Sequence, residues 1–216
     1  MSSGIDLVSS RSEHARSIKQ SEYLAAEQYL RHMEASRTQD RIADVNEFSR
    51  AAWDRVADMF SRPDFAVCKS FVMVGCGPWP VTLMSVADRC PDMSITGLDI
   101  DPEALDTARK VISASVFDRI GVAKSDGVAF SYVDSEIVYV ANLVSPKTLV
   151  LDQIAATARI GTLVVLRDPT TAGKHLAESG IDSLGSCYVL EGVGLDSEVF
   201  HSRHVFLRLR HRQKNV

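Results

Sequence analysis

Past Pro63 the chain alternates short apolar runs with longer amphipathic ones. The runs at 70–75, 94–99, 120–124, 136–141, 161–167, 186–192 and 203–210 have strand length and are rich in Val, Ile, Leu and Phe. Between them, 80–90, 102–114, 147–158 and 172–180 carry helical spacing. Asp101-Pro102-Glu103 reads as a helix start, with Asp101 as N-cap and Pro102 at the first helical position. Such alternation predicts an α/β fold: a mostly parallel sheet with helices on both faces. The last two strands lie close together and are joined without a clear helix.

The first part of the chain has a different pattern. It has no proline before Pro63 and no glycine after Gly4, and it is rich in Ala, Glu, Arg and Gln, a helix-favouring composition. Tyr23, Leu24, Glu27, Leu30 and His32 lie around one amphipathic helix. Ile42, Val45, Phe48, Ala52, Trp53, Val56 and Phe60 recur at spacings of three and four. Two or three helices are therefore expected in residues 1–62, after a disordered first few residues. They would form a cap on an α/β domain spanning 63–216.

Phe71 to Asp101 holds the most chemically specific stretch. A strand ends at Val74, Gly75-Cys76-Gly77 follows, a helix begins near Val81, and a second strand ends at Asp99. The two glycines allow a tight turn and a close approach of backbone to a ligand. An acid roughly 20 residues past such a turn can accept both hydroxyls of a ribose; its competing role is that of a turn residue ahead of a helix. A dinucleotide site wants a third glycine, and here that position is Pro80. Pro78 and Pro80 also remove two N–H donors that a pyrophosphate would need, so NAD fits poorly. The turn resembles motif I of class I S-adenosylmethionine (SAM) enzymes, which seat a ribose and an amino acid carboxylate instead of a phosphate. The seven predicted strands match the sheet of that class, Rossmann-like with an antiparallel final strand.

Composition narrows the function classes. A chain of 216 residues suits one sizeable α/β domain plus an appendage. The net charge of −4 and a pI near 5.9 argue against a nucleic-acid footprint. The basic Arg208, Arg210, His211, Arg212 and Lys214 are expected on a solvated edge and tail. Cys68, Cys76, Cys90 and Cys187 form no C-x-x-C pair and read as reduced thiols. No apolar run approaches the length of a membrane span, and the polar start does not read as a signal peptide, so a cytoplasmic protein is expected. His175, His201 and His204 are expected on the surface or in loops, and no metal site is built from them. A small-molecule substrate is the expected partner, and a homodimer is left open.

In an open α/β sheet, ligands bind beyond the carboxyl ends of the strands. That rule selects Gly75 to Pro78, Asp99 to Asp101, Ser125 to Val128, Ala141 to Pro146 and Arg167 to Thr170. Gly75, Gly77, Pro78, Asp99, Ile100, Asp126, Gly127 and Asn142 are the candidate SAM-binding residues. Asp126 can accept the adenine amino hydrogens or close an Asx turn. Asn142 can meet the amino acid end of the cofactor or cap the next helix; Ser145, just before Pro146, is the better cap and frees Asn142. Tyr23 and Tyr29 offer phenols from the cap, or simply belong to its core.

VGCGPWPVTLMSVA, DIDPEALDTARKVI and VYVANLVSPKTLVLDQIAATARIGTLVVLRD together resemble the nicotianamine synthases and their bacterial relatives over roughly 70–168. The pair Pro78 and Pro80 is the most specific part of the match. The resemblance implies a class I SAM-methyltransferase-like sheet, SAM as cofactor or substrate, and no metal. It implies cleavage at Cγ of the 3-amino-3-carboxypropyl group with release of methylthioadenosine. The chain is shorter than that family, with a compact cap and little after the last strand, which suits a reaction needing no separate acceptor. Related small enzymes cyclise SAM to azetidine-2-carboxylate, and that is the expected reaction, with Asn142, Tyr23 and Tyr29 as candidate catalytic residues. The alternatives are methyl transfer to a small molecule and aminocarboxypropyl transfer to a separate amine.

Overall fold

A computed structural model describes residues 3–35 and 46–212. Helix α1 (Ser3–Ala35) and helix α2 (Glu47–Arg55) are followed by a 3-10 turn (Ala57–Ser61) and a single-turn helix α3 (Asp64–Val67). Helix α1 is helical from Ser3, where a disordered start was expected. Ile42 and Val45 of the predicted cap pattern lie outside the described residues. Strands and helices then alternate: β1 (Ser70–Val74), α4 (Val81–Arg89), β2 (Ser94–Asp99), α5 (Pro102–Ala114), β3 (Ile120–Lys124), β4 (Ile137–Val140), α6 (Lys147–Thr157) and β5 (Leu163–Pro169). The antiparallel pair β6 (Tyr188–Val193) and β7 (Ser202–Leu209) completes one seven-stranded sheet of order β3-β2-β1-β4-β5-β7-β6. The first five strands pair in parallel, and β7 runs antiparallel between β5 and β6.

Alternating side chains of each central strand feed two separate cores. Phe71, Met73, Ile137, Tyr139, Leu163 and Val165 face α1, α2, α4 and α5. Val72, Val74, Val138, Val140, Val164 and Leu166 face α6. Both faces of these strands are covered, so their sequences read as continuous apolar runs. Helix α4 buries seven of its nine residues, from Val81 through Ala87, because α2 lies against it on the side away from the sheet. Helix α1 joins the same core through Ala25, Ala26 and Tyr29. Full burial of each Val, Leu or Met side chain of α4 contributes about 1.5–3 kcal/mol.

Two expectations about the second half need correction. The helix predicted over 172–180 is replaced by 3-10 turns at Thr171–Gly173 and Ile181–Ser183. Asp168 draws this segment back to the end of β5, accepting from Gly180 N at 2.7 Å and Ser179 Oγ at 3.0 Å. Arg208 does not lie on a solvated edge, because β6 is the outer strand. It sits between Glu191 and Asp64, with a nitrogen at 2.8 Å from Glu191 and 2.7 Å from Asp64. Arg62 reaches the same Glu191 at 2.6 Å, so four charges tie the segment before β1 to the β6–β7 pair. Among the described residues no helix is long and apolar enough to cross a membrane.

Candidate active site

The carboxyl ends of β1, β2, β3, β4 and β5 and the inner faces of α1 and α2 enclose a cavity of about 610 Å³. At its centre is the turn after β1. Gly75 and Gly77 adopt φ of +77° and +65°, which side chains with a Cβ rarely tolerate. A Cβ on Gly75 would come within 2.7 Å of Val144 Cγ2, and one on Gly77 within 2.9 Å of Glu22 Oε2. Asp99 fixes the turn: its Oδ2 accepts from Gly77 N at 2.8 Å and its Oδ1 from Asp101 N at 3.0 Å. Each oxygen keeps a further lone pair for a ligand hydroxyl. Asp101 caps α5 through Glu103 N and Ala104 N, while its other oxygen holds Lys19 of α1 at 2.6 Å.

Beyond β3, Asp126 makes the Asx turn weighed for it, its Oδ1 accepting from Val128 N at 3.0 Å, and it also faces the cavity. Gly127 is wedged against Val74 and Val150, and its carbonyl accepts from Tyr132 Oη at 2.8 Å. Ile100, 66% exposed, and Leu149 bring apolar surface to the same end.

After β4, Ser145 does not cap α6, which starts without a side-chain cap bond. Its hydroxyl and the Lys147 N–H both turn to the carboxylate of Glu178, at 2.7 and 3.1 Å. The fully buried Lys147 ammonium donates to the carbonyls of Asn142 and Glu178, and burial lowers its pKa to about 8. This brace leaves the Asn142 side chain at the cavity wall, with Oδ1 buried and without a partner.

The cap contributes residues that periodicity did not single out. Glu22 projects from α1 over Gly77, and Arg55 enters from α2. Enclosure of Glu22 between cap and sheet pushes its carboxyl up to about 8, against the opposing pull of Arg55. Burial, then the neighbouring Arg167, pulls Arg55 down to about 9. Tyr139 lines the floor, its hydroxyl 3.3 Å from His204 Nε2, while His204 Nδ1 lies 2.7 Å from Asp58 Oδ1. His204 is 1% exposed, in contrast to the surface placement expected for it, and burial lowers it to about 4, so it is neutral. With Asp58 beside Nδ1, the Nε2 lone pair is available to the Tyr139 hydroxyl.

The structure thus gathers Gly75, Gly77, Pro78, Asp99, Ile100, Asp126, Gly127 and Asn142 around one cavity. It does not bring the two cap tyrosines to the cavity wall. Tyr29 is 2% exposed and packs on Trp79 at 5.4 Å between ring centroids. Tyr23 lies beneath Lys19, among the charges of Asp101 and Glu103 at α5. The missed Glu22 is one position from Tyr23 on α1, about 100° around the helix, and periodicity alone does not say which of the two directions faces the glycine turn. Only the tertiary crossing of α1 over the glycine turn does so.

No protein-family model matches the sequence, and no curated protein matches it. Among solved structures, a glutamate-to-glutamine variant of the nicotianamine synthase MtNAS in complex with S-adenosylmethionine superposes with a TM-score of 0.80 at 19% identity, covering 94% of this chain and 77% of that one. MtNAS in complex with MTA and tNA gives 0.79 at 20% identity over 94% and 75% of the two chains. The mitomycin 7-O-methyltransferase MmcR gives 0.61 at 15% identity over 87% and 68%. At these identities the likeness carries the fold: the chain has the class I SAM-methyltransferase-like architecture, in a form shared with the solved nicotianamine synthase structures.

Proposed function

We propose that the chain is a SAM-dependent enzyme whose substrate is SAM itself, closed to azetidine-2-carboxylate with release of methylthioadenosine. In this reading adenine lies toward Ser125 to Val128 and Ile100, the ribose hydroxyls meet Asp99, and the amino acid tail extends under the cap. The cavity residues fit such a ligand: a glycine turn that a Cβ would fill, a ribose-reaching carboxylate, and the orphaned Asn142 Oδ1 as acceptor for an amine.

Glu22 carries the reading. A carboxyl enclosed beside the glycine turn, raised to about 8 before SAM arrives and ionised by the sulfonium and ammonium that SAM brings, is placed to take a proton from the α-ammonium of the tail. The neutral amine then attacks Cγ: the N–Cγ bond forms, the Cγ–S bond breaks, and its electron pair leaves on sulfur as methylthioadenosine. The ring nitrogen keeps two hydrogens and one positive charge, and the released proton sits on Glu22. Asn142 Oδ1 orients the amine, and α1 and α2 exclude water that would compete for Cγ. Holding nitrogen behind Cγ in a near-attack geometry offsets much of the strain of a four-membered ring.

Incubation of the purified protein with SAM alone, with products resolved by mass, tests this directly. Methylthioadenosine and azetidine-2-carboxylate should appear in equal amounts. No methylthioadenosine above the spontaneous rate would refute cyclisation. Its appearance only when an amine is added would indicate aminocarboxypropyl transfer, and S-adenosylhomocysteine with an added acceptor would indicate methyl transfer.

A further inference from the structure

Where α2 and β5 meet the cavity, two guanidinium groups lie without an acid in ion-pair contact, although Glu22 acts on both from farther off. Arg55 and Arg167 both line it, and both stack on Phe200, with guanidinium carbons 4.3 and 5.8 Å from the ring centroid. Arg167 is only 3% exposed; one Nη donates to Ser202 Oγ, and its Nε has no partner. The Nε of Arg55 is likewise buried and unpaired. Among the described residues no carboxylate lies within 4.0 Å of either group. Enclosed cations without a contacting counter-charge are costly even where Glu22 and Asp58 act on Arg55 at longer range, and two sharing one aromatic face repel each other. Such a pair is completed by an anion that accepts from both forks.

The turn end of the cavity has the opposite character. Glu22 Oε2 occupies the space above Gly77, and the Gly77 N–H is already given to Asp99. A carboxylate placed there would face two acids and lose its backbone donor. The tail of SAM carries an ammonium and a carboxylate on the same carbon. Only one orientation pairs both: ammonium toward Glu22 and Asn142, carboxylate toward the arginines.

We propose that Arg55 and Arg167, flanking Phe200, are the seat of the substrate carboxylate, so the amino acid tail points away from the glycine turn toward β5 and β7. This rests on the SAM-binding reading given above. The ligand chemistry is an amino acid carboxylate, and the assignment is to SAM's own rather than to that of a second molecule. The guanidinium pair thereby fixes the α-carbon, and with it the position of the amine relative to Cγ.

Calorimetry with three ligands separates the outcomes. Methylthioadenosine keeps the nucleoside and sulfur but lacks the tail; decarboxylated SAM keeps the sulfonium and amine but lacks the carboxylate. Wild-type protein should bind SAM at least tenfold more tightly than decarboxylated SAM. Arg55→Gln and Arg167→Gln should each weaken SAM at least tenfold while leaving methylthioadenosine and decarboxylated SAM within twofold. Methylthioadenosine binding also reports that each variant is folded, and the wild-type comparison needs no variant at all. Equal wild-type affinity for SAM and its decarboxylated form would overturn the seat while leaving SAM binding intact. SAM affinity unchanged in both variants with turnover lost would overturn it too, assigning the pair to a second molecule's carboxylate. If wild-type protein binds neither SAM nor methylthioadenosine, the SAM reading fails, and the seat falls with it.

Discussion

Exchanging Glu22 for glutamine removes a titrating group from directly above the glycine turn while preserving its shape. In the empty site burial holds this carboxyl near 8, so at pH 6 it is almost wholly protonated. SAM brings a sulfonium and an ammonium beside it, and opposite charges favour the ionised form. Binding therefore expels a proton, and affinity rises with pH until the empty-site carboxyl is itself ionised. With the bound-state pKa below 6, the dissociation constant scales as one plus the ratio of protonated to ionised empty site, which is about 100 at pH 6, about 10 at pH 7 and about 2 at pH 8. Wild-type affinity should thus improve about fifty-fold from pH 6 to pH 8 and flatten above pH 9. Glu22→Gln should lack this slope, and the wild-type-to-variant ratio cancels titration of the ligand itself. Calorimetry in two buffers of different protonation enthalpy should show about one proton released per SAM at pH 6.5 in wild type, and about one fewer in the variant. Uncharged methylthioadenosine should show no such release. Identical pH slopes for wild type and Glu22→Gln would refute the coupling, and with it the role of Glu22 as proton acceptor.

Asp99→Ala removes the proposed ribose partner and the acceptor for two backbone N–H groups, so it should weaken SAM at least tenfold, from about 1.5–3 kcal/mol per charge-assisted bond. Methylthioadenosine, with the same ribose, should lose as much; unchanged calorimetric affinity for both would remove Asp99 from the site. Asn142→Ala deletes the orphaned Oδ1 acceptor and should lower kcat by about tenfold while changing SAM affinity less, since its contact matters most in the reacting geometry. Equal losses in kcat and affinity would make Asn142 a binding residue only.

Local signals carried most of the fold. Strand-length apolar runs bounded by turn residues identified all seven strands, and Asp101-Pro102 marked the start of α5 at the observed residue. The helix expected over 172–180 failed because the Asp168 contacts to Ser179 and Gly180 are tertiary and outweigh weak local helical spacing. The cofactor half of the candidate site was legible because glycines, prolines and Asp99 fall at fixed offsets along a single strand–turn–helix–strand unit. The other half was not. Arg167 fell within the strand-end selection, but Glu22, Arg55, Tyr139 and Phe200 come from four other segments, and no spacing rule links them. His204 was misplaced for the same reason: its partners Asp58 and Tyr139 are 146 and 65 residues away.

Those separations also govern assembly. Asp58 precedes β1, Tyr139 ends the middle of the sheet, and His204 lies in a strand that must insert between two others. Phe200 and Ser202, which support the two arginines, arrive with that same strand. The β1–β2 and β2–β3 pairs and the glycine turn can form before β7 docks, because their partners are 22 to 25 residues apart, against 33 to 45 between β5 and β7. A chain ending at about Gly194 would leave Arg55, Arg167 and Tyr139 without Phe200, Ser202 and His204. The cavity is therefore complete only when residues 200–204 are in place.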